Sequence, residues 1–171
     1  PEAPKDPINL SGAYFDLATM VISDPAKVMT QQMSLWQDYL GLWQATAGKM
    51  MGYTTPPGVE PDKDDRRFKD PAWTENHVFD YIKQSYLITS RWLESFVDDV
   101  EGLDPDAARK VKFFTHSYVE AMSPTNFAVS NPEVMRETLE TNGENLLHGL
   151  QNLLADLESG DGKLKISMTD E

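Results

Sequence analysis

A seven-residue apolar repeat dominates the first third of the chain. Met29, Met33, Trp36, Leu40, Trp43, Ala47 and Met50 follow one another at alternating intervals of four and three residues. That spacing sets all seven on one side of an α-helix, in the manner of a helix-pairing seam. Asp24-Pro25 supplies a side-chain cap and a residue already shaped for a first helical turn. Gly52 stands where such a helix would stop. The spacing therefore predicts a long helix over about residues 25–51. Leu35, Tyr39 and Leu42 add a second apolar strip beside the seam, so this helix is apolar over a wide arc.

The remainder reads as helices separated by proline and glycine. Residues 1–11 hold three prolines and little to bury. Tyr14 to Ile22 suits a short helix. Residues 53–72 carry four prolines and a dense mixture of charge, which is long for a connection inside a compact domain. A helix is expected from Thr74 or Glu75 to Val100, with aromatic strips on two sides: Val78, Tyr81, Ser85, Ile88 and Trp92, and Phe79, Ile82, Tyr86, Leu93 and Phe96. Asp104-Pro105 opens another, to about Ala121, with Val111, Phe114, Tyr118 and Ala121 inward. Asn131-Pro132 opens the last, to about Leu157, with Met135, Leu139, Leu146, Leu150, Leu153 and Leu157 inward. Asn142-Gly143 interrupts that helix, as a kink or a close helix contact. Between these two helices lies a structural joint. Ser123 precedes proline and leaves helical geometry; Pro124, Asn126 and Phe127 follow, and Asn131 caps the next helix. Phe127 and Val129 are expected beneath the turn. Lys163 to Met168 alternates like a short strand.

These features predict an all-α fold of four or five amphipathic helices. It divides into an N-terminal helical arm (1–52), a Pro- and charge-rich linker (53–72), and a helical core (73–171) with a strand-like tail. Against 15 bases stand 28 acids, for a formal net charge of -13. Such a surface repels nucleic-acid phosphates and anionic lipid. Apolar runs of a few residues fall short of a membrane span. Cysteine is absent, which removes a disulfide framework, a thiol nucleophile and thiolate metal ligands from the sequence. A start at Pro-Glu reads as a trimmed or internal piece.

Several stretches together resemble the N-terminal region of class I polyhydroxyalkanoate (polyhydroxybutyrate) synthases. They are DRRFKDPAW (65–73), FDYIKQSYLITSRWL (79–93), SPTNF (123–127), NPEVMRETLETNGENLLHGLQNLLADLE (131–158) and ISMTDE (166–171). DPAKVMTQQMSLWQDYLGLWQ (24–44) resembles the arm of the same proteins. The resemblance implies a parent acyltransferase that polymerises (R)-3-hydroxyacyl-CoA into polyester with release of CoA. It assigns the chemistry to a later α/β-hydrolase-type domain with a Cys nucleophile in a lipase-like box. No Gly-x-Cys-x-Gly or Gly-x-Ser-x-Gly turn occurs in this sequence. The expectation is a region with no catalytic residue, cofactor or metal of its own. It would support the catalytic domain or a homodimer, and contact the cytoplasmic polyester granule or phasin-type proteins. The alternative is a free-standing, phasin-like granule coat.

The candidate interaction surface is the seam Met29, Met33, Trp36, Leu40, Trp43 and Met50, because Met and Trp make adaptable, large-area contacts. The opposing reading is a stripe buried in the chain's own core. His116/Glu120 and Glu144/His148 lack the Glu-x-x-His spacing of a carboxylate-bridged metal site and read as exposed helix pairs. Arg66, Arg67 and Lys69 form a local basic cluster that CoA phosphates would suit. Asp62, Asp64, Asp65 and Asp70 surround it and favour a solvated mixed-charge linker. Tyr81, Tyr86, Arg91 and Trp92 are expected either to face a catalytic domain or to pack within the core.

Overall fold

The computed structural model describes residues 8–159. Seven α-helices follow in order: α1 (Leu10–Ser23), α2 (Pro25–Met50), α3 (Ala72–Glu75), α4 (His77–Asp98), α5 (Pro105–Ala121), α6 (Pro132–Glu140) and α7 (Glu144–Ser159), with a 3₁₀ turn at Pro124–Asn126. The architecture is all-α, and no strand occurs among the described residues. The strand pattern at Lys163–Met168, most of the N-terminal lead-in, and the side chains of Leu153 and Leu157 lie outside the described residues.

Capping side chains set the helix starts. Asp24 accepts from the Lys27 amide at 3.0 Å, Asp104 from Asp106 at 2.9 Å and Asn131 from Glu133 at 3.0 Å. In each case proline occupies the position after the cap. The expected helix from Thr74 begins later. Asn76 is extended (φ -94°, ψ 119°) and caps a new helix by accepting from the Val78 amide at 2.9 Å. The expected helix over 131–157 is two helices. Asn142 and Gly143 both have positive φ, 51° and 87°, a left-handed pair that a continuous helix cannot contain.

α4 is central. α2 and α5 pack along it, and α1 packs on α5. One buried cluster joins α1, α4 and α5 through Ala13, Leu17, Val97, Ala107 and Val111, flanked by Val21, Val100 and Leu103. A second centre is aromatic. Trp73 is 1% exposed, with Phe68 edge-on at 5.1 Å and Phe79 at 5.8 Å.

Three predicted inward faces are turned. On α5 the buried positions are Ala107, Val111, Thr115 and Val119, while Tyr118 and Ala121 are exposed. Spacing by four tracks α4 and α1 more closely than the aromatic strip does. On α4 Val78 is exposed, and Asp80, Lys83, Gln84, Leu87 and Ser90 are buried. The linker covers that face: Gln84 accepts from the Val59 amide at 2.7 Å and donates to the Val59 carbonyl at 3.0 Å. The charges satisfy one another, with Asp80 between Lys83, at 3.3 Å, and Lys49 of α2. On α6 and α7, Met135, Leu139, Leu146 and Leu150 are exposed. The left-handed turn carries α7 against α6, and it makes no comparable contact with α4 or α5.

The two kinds of tryptophan give opposite expectations. Trp73→Ala should lower unfolding free energy by about 3–5 kcal/mol. Trp36→Ala, at an exposed position, should change it by less than about 0.5 kcal/mol. Urea unfolding followed by far-ultraviolet circular dichroism measures both, and similar losses would contradict this placement.

Candidate functional site

α2 carries two apolar strips and buries only the weaker one. On the side that meets α4, the Gln31 carbonyl accepts from the Trp92 indole at 3.0 Å. Tyr39 bonds Thr89 at 2.6 Å and donates to the Ser85 carbonyl at 3.3 Å. Leu42 is buried there and Lys49 pairs with Asp80. The heptad seam lies about 120° farther round, by the 3.6-residue turn. Met29, Met33, Trp36, Leu40, Trp43 and Met50 are 56–70% exposed, and Ala47 is half-buried. The structure thus brings all six predicted surface residues onto one continuous outward stripe. By helical position, the three charged residues of α2 (Lys27, Asp38 and Lys49) all fall away from it. Thr30, Gln32, Gln37 and Gln44, which border it, are uncharged. The band is contiguous, apolar and exposed on an otherwise acidic chain.

The basic cluster has a different fate. Arg67 is folded inward as the hub of a polar junction. It donates twice to Asp65, each at 2.9 Å, to Glu120 of α5 at 2.9 Å and to the Tyr86 hydroxyl of α4 at 3.0 Å. The Tyr86 hydroxyl donates in turn to the Val119 carbonyl at 3.2 Å. The guanidinium also stands 5.7 Å from the Phe68 ring centre and 5.5 Å from that of Tyr86. Three residues on, Asp70 accepts from the Ala72 amide at 2.9 Å and pairs with Arg136 of α6 at 2.6 Å. Arg66 and Lys69 remain exposed. The stretch 65–73 therefore fastens the linker to three helices.

The predicted joint is a closed hydrogen-bond cluster. Ser123 and Pro124 are buried. Ser123 bonds Thr125 at 2.8 Å, and Ser130 donates to the Pro124 carbonyl at 2.7 Å. Asn126 donates to the carbonyls of Glu120 and Ala121, at 3.0 and 3.1 Å, and Asn131 to that of Thr125 at 2.9 Å. These bonds satisfy carbonyls freed where α5 ends. Phe127 and Val129 are exposed, not beneath the turn; the polar side chains fill that space.

Tyr86 and Trp92 are half-buried against the chain's own elements, as above. Arg91 donates to the Glu60 carbonyl, and Tyr81 is at the surface. His116 bonds Glu94 at 2.8 Å rather than Glu120, while Glu144 and His148 are exposed. Among the described residues no three His, Asp or Glu side chains gather as metal ligands would. A groove of about 670 Å³ lies between α2, residues 54–60 and α4, lined by Leu42, Lys49, Val59, Gln84, Ile88 and Arg91. Three of its polar residues, Lys49, Gln84 and Arg91, are engaged in bonds within the chain. Sequence reasoning missed the Arg67 hub and the Asp80–Lys83 burial, although Asp65-x-Arg67 spacing was there to be read as a local bidentate pair.

The seam is thus an uncharged Met/Trp stripe turned outward on an all-helical fold. Residues 64–171 match the family described as "Poly-beta-hydroxybutyrate polymerase (PhaC) N-terminus". The chain belongs to that family. It is 42% identical over 149 residues to the poly(3-hydroxyalkanoate) polymerase of Methylorubrum extorquens, covering 87% of this chain and 25% of the relative. It is 37% identical over 149 residues to the poly(3-hydroxyalkanoate) polymerase subunit PhaC of Rhizobium meliloti (strain 1021), covering 87% and 24%. To the subunit of the same name from Cupriavidus necator it is 36% identical over 147 residues, covering 86% and 23%. The chain spans about a quarter of the length of these curated relatives. No solved structure matches.

The junction at Arg67 makes stability depend on acid. Arg67, chiefly by hydrogen bonding, holds the Asp65 carboxyl below its ordinary value, and Arg136 does the same for Asp70. A depressed folded pKa contributes stability above the unfolded value and loses it as pH falls through the folded one. The chain should therefore lose stability below about pH 4, the ordinary carboxylate range. Asp65→Asn should show a shallower loss over that window and be less stable at neutral pH by about 2 kcal/mol. Urea midpoints at a series of pH values test this. Parallel curves for the two chains would refute the assignment.

Proposed function

We propose that this chain is the non-catalytic N-terminal domain of a poly(3-hydroxyalkanoate) polymerase, an enzyme forming polyester from (R)-3-hydroxyacyl-CoA. It supports the polymerising part and its dimer, and contributes contacts at the cytoplasmic polyester granule or with phasin-type proteins there. The arm, linker and core act as one support: α1 and α2 lie on α5 and α4, and the linker is bonded to both. Family membership supports the polymerase setting, as do relatives named poly(3-hydroxyalkanoate) polymerase that are about four times as long.

The observation that carries the contact role is the α2 stripe. An apolar band exposed over the length of a helix leaves six large side chains in water. Each would contribute roughly 1.5–3 kcal/mol if fully buried. None of the helices is long and apolar enough among the described residues to cross a membrane, which suits a surface contact rather than insertion. The joint at Ser123–Asn131 acts structurally, by fixing the exit of α5 and the start of α6.

Co-sedimentation with poly(3-hydroxybutyrate) granules tests the granule contact. The chain should pellet with granules, and Trp36→Glu/Trp43→Glu should reduce the bound fraction by about tenfold while keeping its helical signal. Equal pelleting by both chains would remove the stripe from this role.

A further inference from the structure

α7 has an apolar face with little of its own chain upon it. Of the α7 side chains that the structure describes, Asn145 alone is part-buried. It donates to Thr138 of α6 at 2.9 Å and accepts from Thr141 at 3.2 Å, so a polar pin holds the start of α7. Leu146, Leu147 and Leu150 are 47–55% exposed, and Leu139, across the turn on α6, is 76% exposed. A helix of 16 residues draws most of its stability from burying its apolar face. Among the described residues nothing gives α7 that cover.

Resting on the reading of this chain as the N-terminal domain of a polymerase, we infer that α7 seats it on the polymerising part. The leucine face lies in an apolar groove with a basic rim on the polypeptide that follows.

Two observations select that occupant. The matched family is described as an N-terminus, and this chain covers 25% of the Methylorubrum extorquens relative. In such a polymerase most of the polypeptide comes after α7. A surface tethered to the end of α7 meets it at an effective concentration on the order of millimolar.

The second observation is charge. α7 carries Glu144, Asp156 and Glu158 and no lysine or arginine. α6 carries Glu133, Glu137 and Glu140, and its one base, Arg136, is paired with Asp70. A second copy would set carboxylates against carboxylates. An uncharged polyester offers them no counter-charge. A groove rimmed by lysine and arginine does, with the helix laid into it by its apolar face. The α2 stripe, bordered by uncharged residues, has no such complement to a basic rim.

Hydrogen exchange read by mass spectrometry, on this chain and on the full polymerase that carries it, tests the seat. In the chain alone the amides of residues 146–152 should exchange within about tenfold of an unfolded peptide, while those of α4 stay protected. In the polymerase they should slow by about a hundredfold or more, as burial of two or three leucines requires. Leu146→Glu/Leu150→Glu in the polymerase should remove that gain and leave α4 as protected as before. Raising salt from about 50 to about 500 mM should cut the gain several-fold; indifference to salt would refute the basic rim. Equal exchange in chain and polymerase would overturn the inference. Protection of the chain alone that grows with its concentration would put a second copy on the face and overturn it too. A polymerase that makes polyester with α7 unprotected would sink the seat and leave the proposed function standing. A full protein without polymerase activity whose α7 is covered would do the reverse.

Discussion

The guanidinium of Arg67 holds the structure together at its least regular point. Residues 51–71 contain no helix, and fixing each such residue costs about 1–2 kcal/mol in backbone entropy. A few side-chain bonds must offset that cost. Gln84 grips both backbone groups of Val59, Arg91 holds Glu60, and Arg67 joins Asp65 to α4 and α5 at once. Phe68 and Trp73 then bury the following turn. The same segment closes over Gln84 and Leu87 and so helps to bury that face of the central helix.

That dependence explains where the sequence was legible. Helix starts at Pro25, Pro105 and Pro132 could be read because a cap followed by proline is a local signal. The break at Asn142-Gly143 was visible for the same reason, though its sharpness shows only in two positive φ angles. Faces were less legible. Periodicity finds an apolar strip but says nothing of what covers it, and α2 has two. The regular seam is the exposed one, and the shorter strip of Leu35, Tyr39 and Leu42 lies toward α4. On α4 the burial of Asp80 and Lys83 could not be inferred, since it requires Lys49 from a helix some thirty residues earlier. The seam residues themselves were found by spacing alone.

α2 inverts the usual partition of a surface helix. Its inward side relies on hydrogen bonds from Trp92 and Tyr39 and on an ion pair, while its outer side is thioether, indole and leucine. Polar bonds give that inner contact a defined register without drawing on the apolar strip. The strip stays exposed, on an element whose position is set by its contacts with α4. The chain belongs to the polymerase N-terminal family, whose curated relatives are about four times its length.

The order in which the helices meet has a consequence for folding. The Arg67 and Tyr86 bonds to α5 close separations of 53 and 33 residues, and Tyr39 to Thr89 closes 50. The first helix is far more distant: Tyr14 reaches Thr115 across 101 residues. Loop closure favours near partners over far ones. α4 and α5 should assemble first, α2 join them next, and α1 dock last on a surface already made. The cluster of Ala13 and Leu17 against Val97, Ala107 and Val111 is then the final step of folding and the first to open.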